Sequence, residues 1–202
     1  MNPTLQTIAN NELNNCQNIH LIGPQLYPDF VWLMEKASLI ITDSGGIQEE
    51  APYIGKGLII NEFLASNDAT YADEQGDFDD WVELYNDSSE PINIGGMYFT
   101  DTPNDDKAYL IPNTEPSKTT IPAGGYLIIW CDDDQEQGVL HVSKKLKGGG
   151  ESVILINSDG TTIIDSYTYD SQTTDISMGR NIDNMDEWIF YNNPTPGAAN
   201  TL

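Results

Sequence analysis

The 202-residue chain contains few basic residues: eight lysines and arginines stand against 32 aspartates and glutamates, so the net charge is −24. Binding to nucleic acid needs clustered lysine and arginine, and this composition argues against it. Cysteine is also scarce. Neither Cys16 nor Cys131 has another cysteine or a histidine nearby at zinc-ligand spacing. We therefore predict two buried free thiols rather than a zinc site, and no nucleic-acid partner.

Long apolar runs are also absent, and a membrane helix needs roughly 18 or more such residues. The N-terminal stretch, residues 1–16, lacks the basic start and apolar core of a signal peptide. The sequence therefore predicts no membrane insertion and leaves a cytoplasmic location open. The negative charge has two interpretations: it keeps the protein soluble, or it suits a salty exterior, divalent cations or a basic partner.

Residues 1–56 have the pattern of a short α/β unit. Asn18–Gly23 and Leu39–Ile41 are short apolar runs typical of buried strands. Asp29–Ala37 places Phe30, Leu33, Met34 and Ala37 on one helical face. Strand, helix, strand and a further helix in this order predict a Rossmann-like fragment with a parallel sheet.

From Gly57 onward the sequence is mainly β. Short β-rich runs are separated by turn residues, and no run has a helical period. The predicted strands are 57–66, 80–86, 92–100, 108–111, 125–131, 152–157 and 161–169. Asp159-Gly160 predicts a hairpin with a type I′ turn, since both central residues of that turn need positive φ. We predict an immunoglobulin-like β-sandwich over residues 57–202.

The sharpest local motif is Thr42–Glu50, TDSGGIQEE. A strand ends, two glycines follow, and the unpaired amides of a helix N-terminus come next, which is a geometry that holds phosphate. This motif and its surroundings, from about residue 2 to residue 56, resemble the C-terminal half of the non-hydrolysing UDP-N-acetylglucosamine 2-epimerases. The resemblance implies that UDP would be held by Phe30 on the uracil, Ser44, Gly45 and Gly46 on the diphosphate, and Glu50 on the ribose.

That family binds its nucleotide between two domains, and only part of one domain has a counterpart here. A half-cleft cannot exclude water or place an acid and a base on two sides of a sugar. We therefore expect a vestigial UDP site with no catalytic residues and no epimerase turnover. The alternative is a fragment that becomes active when a partner chain completes it.

Residues 57–202 resemble bacterial lamin-tail domains. The resemblance rests on short stretches in the right order, 58–67, 79–86, 94–101, 121–127, 150–155, 177–180 and 195–200, which include Trp81-Val82-Glu83-Leu84-Tyr85-Asn86. It implies a sandwich found as an accessory module on secreted or surface proteins, with no catalytic residues. It also implies an extracellular or cell-surface location.

Several polar residues of this region are predicted to have structural roles. Glu62, Glu83 and Asn86 would lie at strand ends and accept or donate backbone hydrogen bonds. Arg180, the only arginine, would fork onto a carboxylate and tie the last strand, with a ligand role as the alternative. His20 and His141 lie in no recognisable triad order and are predicted to be ordinary strand residues.

Acidic loops are the remaining candidates for a metal site. Asp132, Asp133, Asp134 and Glu136 follow a predicted strand, and 73–80 and 101–106 are similar clusters. Calcium takes carboxylate oxygens, but none of the loops has EF-hand spacing. Either a calcium loop or a solvated loop fits; no other cofactor is expected.

These observations favour a non-catalytic binding or anchoring module on a hybrid chain. Its partner would be a protein or a cell-surface glycan. An epimerase fragment is the second hypothesis, and a calcium-dependent adhesion module is the third.

Overall fold

The computed structural model describes residues 57–202 together with Ile22, Leu26, Phe30, Trp32 and Leu33. Contacts divide the chain into two compact units, Met1–Gly55 and Lys56–Leu202.

In the first unit, Phe30, Trp32 and Leu33 are helical, as predicted, and the Phe30 amide donates to the Leu26 carbonyl at 2.9 Å. Phe30 is half-buried, but Leu33 is 37% exposed, so the predicted apolar face is not buried at that position. The two predicted strands of this unit and the Thr42–Glu50 motif lie outside the described residues.

The second unit is built from two larger sheets. The first has six strands in the spatial order β12 (Asn184–Tyr191), β11 (Ser177–Asn181), β1 (Leu58–Leu64), β2 (Trp81–Asn86), β7 (Tyr126–Cys131) and β8 (His141–Val142). The second has the order β10 (Ile163–Tyr169), β9 (Glu151–Ile156), β4 (Tyr98–Thr100) and β5 (Tyr109–Leu110). A small sheet pairs β3 (Ile92–Asn93) with β6 (Thr120–Ile121), and one short helix, α1, covers Pro116–Thr119. Neighbouring strands are antiparallel except β7 and β8, which are parallel.

Strand β1 is the central element of the sandwich. All seven of its residues are buried, and except for Asn61 and Glu62 they are apolar. Leu58, Ile60 and Phe63 belong to the main core between the sheets, while Leu64 packs with Trp81 and others on the opposite face. A β-bulge between Ile60 and Glu62 breaks the pairing with β2.

The main core contains residues from both large sheets. It includes Leu58, Ile60, Phe63, Val82, Leu84, Phe99, Ile129, Cys131, Val142, Val153, Leu155 and Tyr169. The Phe63 ring lies 4.6 Å from that of Tyr169 and 5.8 Å from that of Trp188. Full burial of one such large apolar side chain contributes about 1.5–3 kcal/mol. These contacts between strands distant in sequence hold the two sheets together.

The predicted fold class, a mainly β sandwich, is confirmed, but some elements differ from the prediction. The predicted strand over 92–100 is two short strands, because a turn at Gly95-Gly96 separates them. The hairpin at Asp159-Gly160 exists, but its turn is not type I′: Gly160 has a φ of 72°, whereas Asp159 is not in the left-handed region. Instead, the Asp159 carboxylate accepts bonds from the amides of Thr161 and Thr162.

Candidate functional site

The two buried glutamates of the six-stranded sheet bind the C-terminal segment. Glu62 and Glu83 face each other across β1 and β2 and are fully buried. Glu62 accepts bonds from the Ser177 hydroxyl and from the Thr195 hydroxyl at 2.8 Å and amide at 3.1 Å. Glu83 accepts a bond from the Gly197 amide. Both residues lie within their strands rather than at strand ends, so that part of the prediction is wrong, while the backbone bonds are as predicted.

Burial raises the pKa of Glu83 to about 8, although the Gly197 amide and the Asn61 side chain favour the charged form. Burial likewise raises the pKa of Glu62, and its bonds to Ser177 and Thr195 act in the opposite direction. A strongly perturbed carboxyl is a candidate acid or base only where a substrate can reach it. Here the donors around both carboxylates belong to the protein itself.

The bulge in β1 directs Asn61 toward the same C-terminal segment. Asn61 Nδ2 lies 2.8 Å from both Glu83 Oε1 and Asn200 Oδ1. Asn200 Nδ2 in turn donates to the Arg180 carbonyl at 2.8 Å. Because the bulge adds one residue to β1, Asn61 and Glu62 both contact the C-terminal segment. Residues 195–200 are therefore fixed on the outer face of the six-stranded sheet.

Asn86 ends β2 and closes the neighbouring loop. Its Nδ2 lies within 3.1 Å of the carbonyls of Glu90, Ile121 and Pro122. Its Oδ1 accepts from the Ser88 amide at 3.0 Å. These bonds fit the predicted position at a strand end and the predicted structural role.

Arg180 contacts three strands other than its own, but its guanidinium does not bind both oxygens of one carboxylate. On β11, its Nε donates to the Ile60 carbonyl at 2.7 Å and its Nη1 to the Met185 carbonyl at 2.5 Å. Nη2 reaches one carboxylate oxygen of Asp165 at 2.7 Å. The guanidinium carbon lies 4.8 Å from the centre of the Trp188 ring. The predicted carboxylate partner is present, although the contact uses one oxygen, and the contacts with Met185 and Trp188 tie the last strand, β12, as predicted.

The predicted calcium loop does not bring its carboxylates together. Asp132 Oδ2 lies 2.5 Å from His141 Nδ1, and its Oδ1 accepts the Asp134 amide at 3.0 Å. Asp133 has a left-handed backbone conformation, with a φ of 62°. Asp134 Oδ2 accepts a hydrogen bond from Gln137 Nε2 at 3.2 Å. Within the part of the chain that the structure describes, convergent ligand groups of three occur instead at Asp73–Glu74–His141 and Asp73–Asp77–Asp79. Calcium at 132–136 stays a prediction to which the geometry adds no support.

An aromatic depression lies on the outer face of the same sheet. We call this surface, of about 210 Å³, the outer groove; it is lined by Tyr71, Glu74, Tyr126, Leu127, Ile128, Trp130, Leu140 and Gly197. Tyr71 stacks on Trp130 with ring centres 5.7 Å apart, and Tyr126 stacks on Tyr85 at 4.7 Å. Its aromatic lining makes the outer groove the candidate ligand surface of the sandwich.

Of the five predicted UDP contacts, only Phe30 is among the described residues. It is helical and half-buried. Ser44, Gly45, Gly46 and Glu50 lie outside the described residues, so their predicted roles stay predictions.

Taken together, these features define an immunoglobulin-like β-sandwich domain whose buried polar side chains hold the chain to itself. The family model of the lamin tail domain matches residues 52–171, more than half of the chain. The chain belongs to the lamin tail domain family. Strands β11 and β12 lie beyond the matched residues but pair within the six-stranded sheet.

A second family model, UDP-N-acetylglucosamine 2-epimerase, matches residues 1–61. The chain is 52% identical over 60 residues to the UDP-N-acetylglucosamine 2-epimerase of Escherichia coli K12, 50% identical to that of Campylobacter jejuni and 47% identical to that of Neisseria meningitidis serogroup A. Each match covers 30% of this chain and 16% of the relative, so the chain spans about a sixth of these relatives. The two matched ranges overlap at 52–61, where the structure places the start of β1 in the sandwich.

Some structurally important residues were not singled out from the sequence. Asn61 and Asn200 lie 139 positions apart and meet only through the bulge and the C-terminal segment. Cys131 is a buried free thiol, as predicted, and burial raises its pKa, whereas Cys16 lies outside the described residues. His141, predicted to be an ordinary strand residue, lies on β8, and its Nδ1 is hydrogen-bonded to Asp132. Among the described residues, no helix has the length and apolar character of a membrane span.

Proposed function

We propose that the sandwich is a non-catalytic binding or anchoring module that works outside the cell, and that the outer groove holds a neutral glycan chain. The observation that carries the proposal is that the buried polar side chains and the accessible aromatic side chains of the six-stranded sheet make different contacts. The buried carboxylates Glu62 and Glu83 are bonded to the C-terminal segment, whereas aromatic rings line the accessible groove.

The chemistry of the groove favours a neutral ligand. Tyr71 is 37% exposed and offers a ring face together with a hydroxyl, which suits a ligand that is both apolar and hydrogen-bonding. The net charge of −24 disfavours anionic polymers. A shallow groove buries little of its ligand, so we expect weak affinity per site.

The test is a titration of neutral oligosaccharides, separately built of N-acetylglucosamine, glucose and galactose, followed by tryptophan fluorescence because Trp130 lies in the groove. We expect saturable binding to at least one series, lost in Tyr71→Ala. The control is Phe190→Ala, which removes a 48%-exposed ring on β12, at the opposite edge of the sheet. No saturable binding, or equal loss in both variants, would exclude the groove as a glycan site and favour a protein partner.

The second candidate is a remnant of UDP-N-acetylglucosamine 2-epimerase, favoured by the identity of residues 1–61 to that family. We propose that the remnant has no turnover of its own, because one side of a cleft does not position an acid and a base around a sugar.

A further inference from the structure

Three potential metal ligands converge next to the sandwich core. Asp73 and Glu74 lie in the loop before β2, and His141 lies on β8. One ligand atom from each residue lies within 4.8 Å of the others. His141 is 3% exposed and Asp73 is 9% exposed, so two of the three ligands are buried.

The imidazole of His141 is oriented as metal-binding histidines are. Its Nδ1 lies 2.5 Å from Asp132 Oδ2, and because a carboxylate only accepts, Nδ1 carries the proton that is donated. The other nitrogen, Nε2, lies 3.7 Å from Glu74 Oε2, which is longer than a hydrogen bond. Two ligands of one tetrahedral zinc ion are about 3.4 Å apart, given bonds of roughly 2.0–2.2 Å. A carboxylate that holds Nδ1–H and leaves Nε2 free is the usual outer partner of a metal-bound histidine.

Asp73 provides an independent indication of a cation site. Its Oδ1 accepts the amides of Gln75, Gly76 and Asp77 at 2.8–2.9 Å, which fixes the carboxylate in place. Its Oδ2 is buried and has no hydrogen-bond partner. An unpaired buried carboxylate oxygen is costly, and a cation would satisfy it.

We propose that Asp73, Glu74 and His141 bind a divalent transition metal of the zinc type, with Asp132 orienting the histidine. An imidazole ligand suits zinc, copper and nickel, whereas calcium and magnesium take oxygen ligands. The cysteines, on which the sequence-based prediction of no zinc rested, take no part. The site stands independently of the proposed function. Lys118 lines a cleft together with Glu74 and His141. Its amine lies 2.9 Å from the Glu115 carboxylate, so its positive charge is paired there.

The same residues allow two other arrangements. A doubly protonated His141 would pair with both Asp132 and Glu74 without any metal. Alternatively, Asp73 would join Asp77 and Asp79 in an oxygen-only site, which suits calcium. The three arrangements predict different responses to zinc, to calcium and to single substitutions.

The experiment is a calorimetric titration of the full chain, freed of metal by chelator, with Zn²⁺ and separately with Ca²⁺. We expect one Zn²⁺ per chain at micromolar or tighter affinity, abolished in His141→Ala. Asp132→Asn should weaken zinc binding by about 10–100-fold, as loss of an outer partner does. Asp77→Asn and His20→Ala are the controls and should bind zinc as the unaltered chain does.

Because His141 is buried, its replacement can impair folding, so Glu74→Gln is the second variant. The Glu74 side chain is 73% exposed, and its loss should weaken zinc binding while leaving the circular dichroism spectrum unchanged. Co²⁺ added to the full chain should give the visible absorption of a low-symmetry site, lost in Glu74→Gln. The proposal is overturned by three results: no zinc binding, zinc binding unchanged in both site variants, or binding of calcium alone that is lost in Asp77→Asn.

Discussion

Arg180 Nη2 lies 2.7 Å from Asp165 Oδ2 and so joins β11 of one large sheet to β10 of the other. The same Asp165 oxygen accepts the Ile60 amide at 2.8 Å, next to the bulge in β1. Arg180 is 5% exposed, so the ion pair is largely shielded from water. The only arginine of the chain therefore links its own strand, β11, to three others, β1, β10 and β12.

Replacement of Arg180 by alanine should lower the free energy of unfolding by about 3–5 kcal/mol, because it leaves the half-buried Asp165 without its charge partner. Guanidinium denaturation measures the change. Asp165→Asn combined with Arg180→Ala should cost less than the sum of the single changes, because the pair interacts directly. Lys107→Ala, at an exposed cation, is the control and should change stability by less than about 0.5 kcal/mol. Additive effects of the two site variants would contradict the coupling.

Glu83 should make the sandwich less stable as the pH rises. Burial raises its pKa from 4.5 to about 8, so between these values the unfolded chain loses the proton while the folded chain keeps it. The unfolded state then binds fewer protons, and the free energy of unfolding falls with rising pH. Its contribution is fully present below about pH 4.5 and is lost by about pH 8. The measurement is urea denaturation at several pH values across this window.

The variant for this test is Glu83→Gln, which cannot ionise. It should flatten the decline between pH 5 and pH 8, at the cost of about 1–3 kcal/mol for one imperfect hydrogen bond. Glu90→Gln, at an exposed glutamate, is the matched control and should keep the unaltered slope. Equal slopes in all three proteins would show that Glu83 does not titrate in this window.

Gly179 of β11 lies in close contact with Asn200 of the C-terminal segment. A Cβ at this position would lie 2.6 Å from Asn200 Nδ2 and 3.1 Å from the Asn61 carbonyl. Gly179→Ala should therefore displace Asn200 and destabilise the domain by about 1–3 kcal/mol. Gly149→Ala is the matched control, since nothing lies within 4 Å of its added Cβ. Thermal melts compare the two, and an equal effect at both positions would argue against tight contact at Gly179.

The sequence was sufficient to predict the fold class, because β-branched and aromatic runs separated by glycine and proline turns are local signals. Strands β11 and β12 were not predicted. SMGRN and NMDEWIFY have little apolar alternation, and they are strands because they pair with β1 and with each other. The prediction of a type I′ turn at Asp159-Gly160 is wrong, because the Asp159 side chain, rather than a left-handed backbone at Asp159, closes the loop.

The site was less predictable than the fold. Asp132 was singled out as a charge in an acidic loop, but its partner is His141, which a parallel β7–β8 pairing brings beside it. The unpaired oxygen of Asp73 depends on burial, which periodicity does not show. Such features arise from tertiary contacts, and only residue types and short spacings are visible in the sequence.

The epimerase-like segment should have at best feeble affinity for UDP and no turnover. Phosphate contacts on one side of a cleft should give a dissociation constant of about a millimolar or weaker, some −4 kcal/mol. Calorimetry with UDP and a coupled assay for the 2-epimer measure the two properties. Micromolar binding lost in Ser44→Ala but not in the control Ser158→Ala, or turnover lost in Glu50→Ala, would establish a working site.

The most direct test of the account is the unfolding of a protein that consists of residues 57–202 alone. The core, the buried glutamates and the C-terminal segment that they bind all lie within this range. We predict one cooperative transition in guanidinium, with coincident curves from tryptophan fluorescence and far-ultraviolet circular dichroism, as for small single domains. A gradual, non-coincident loss of signal would contradict the claim that this range folds on its own as a lamin tail sandwich.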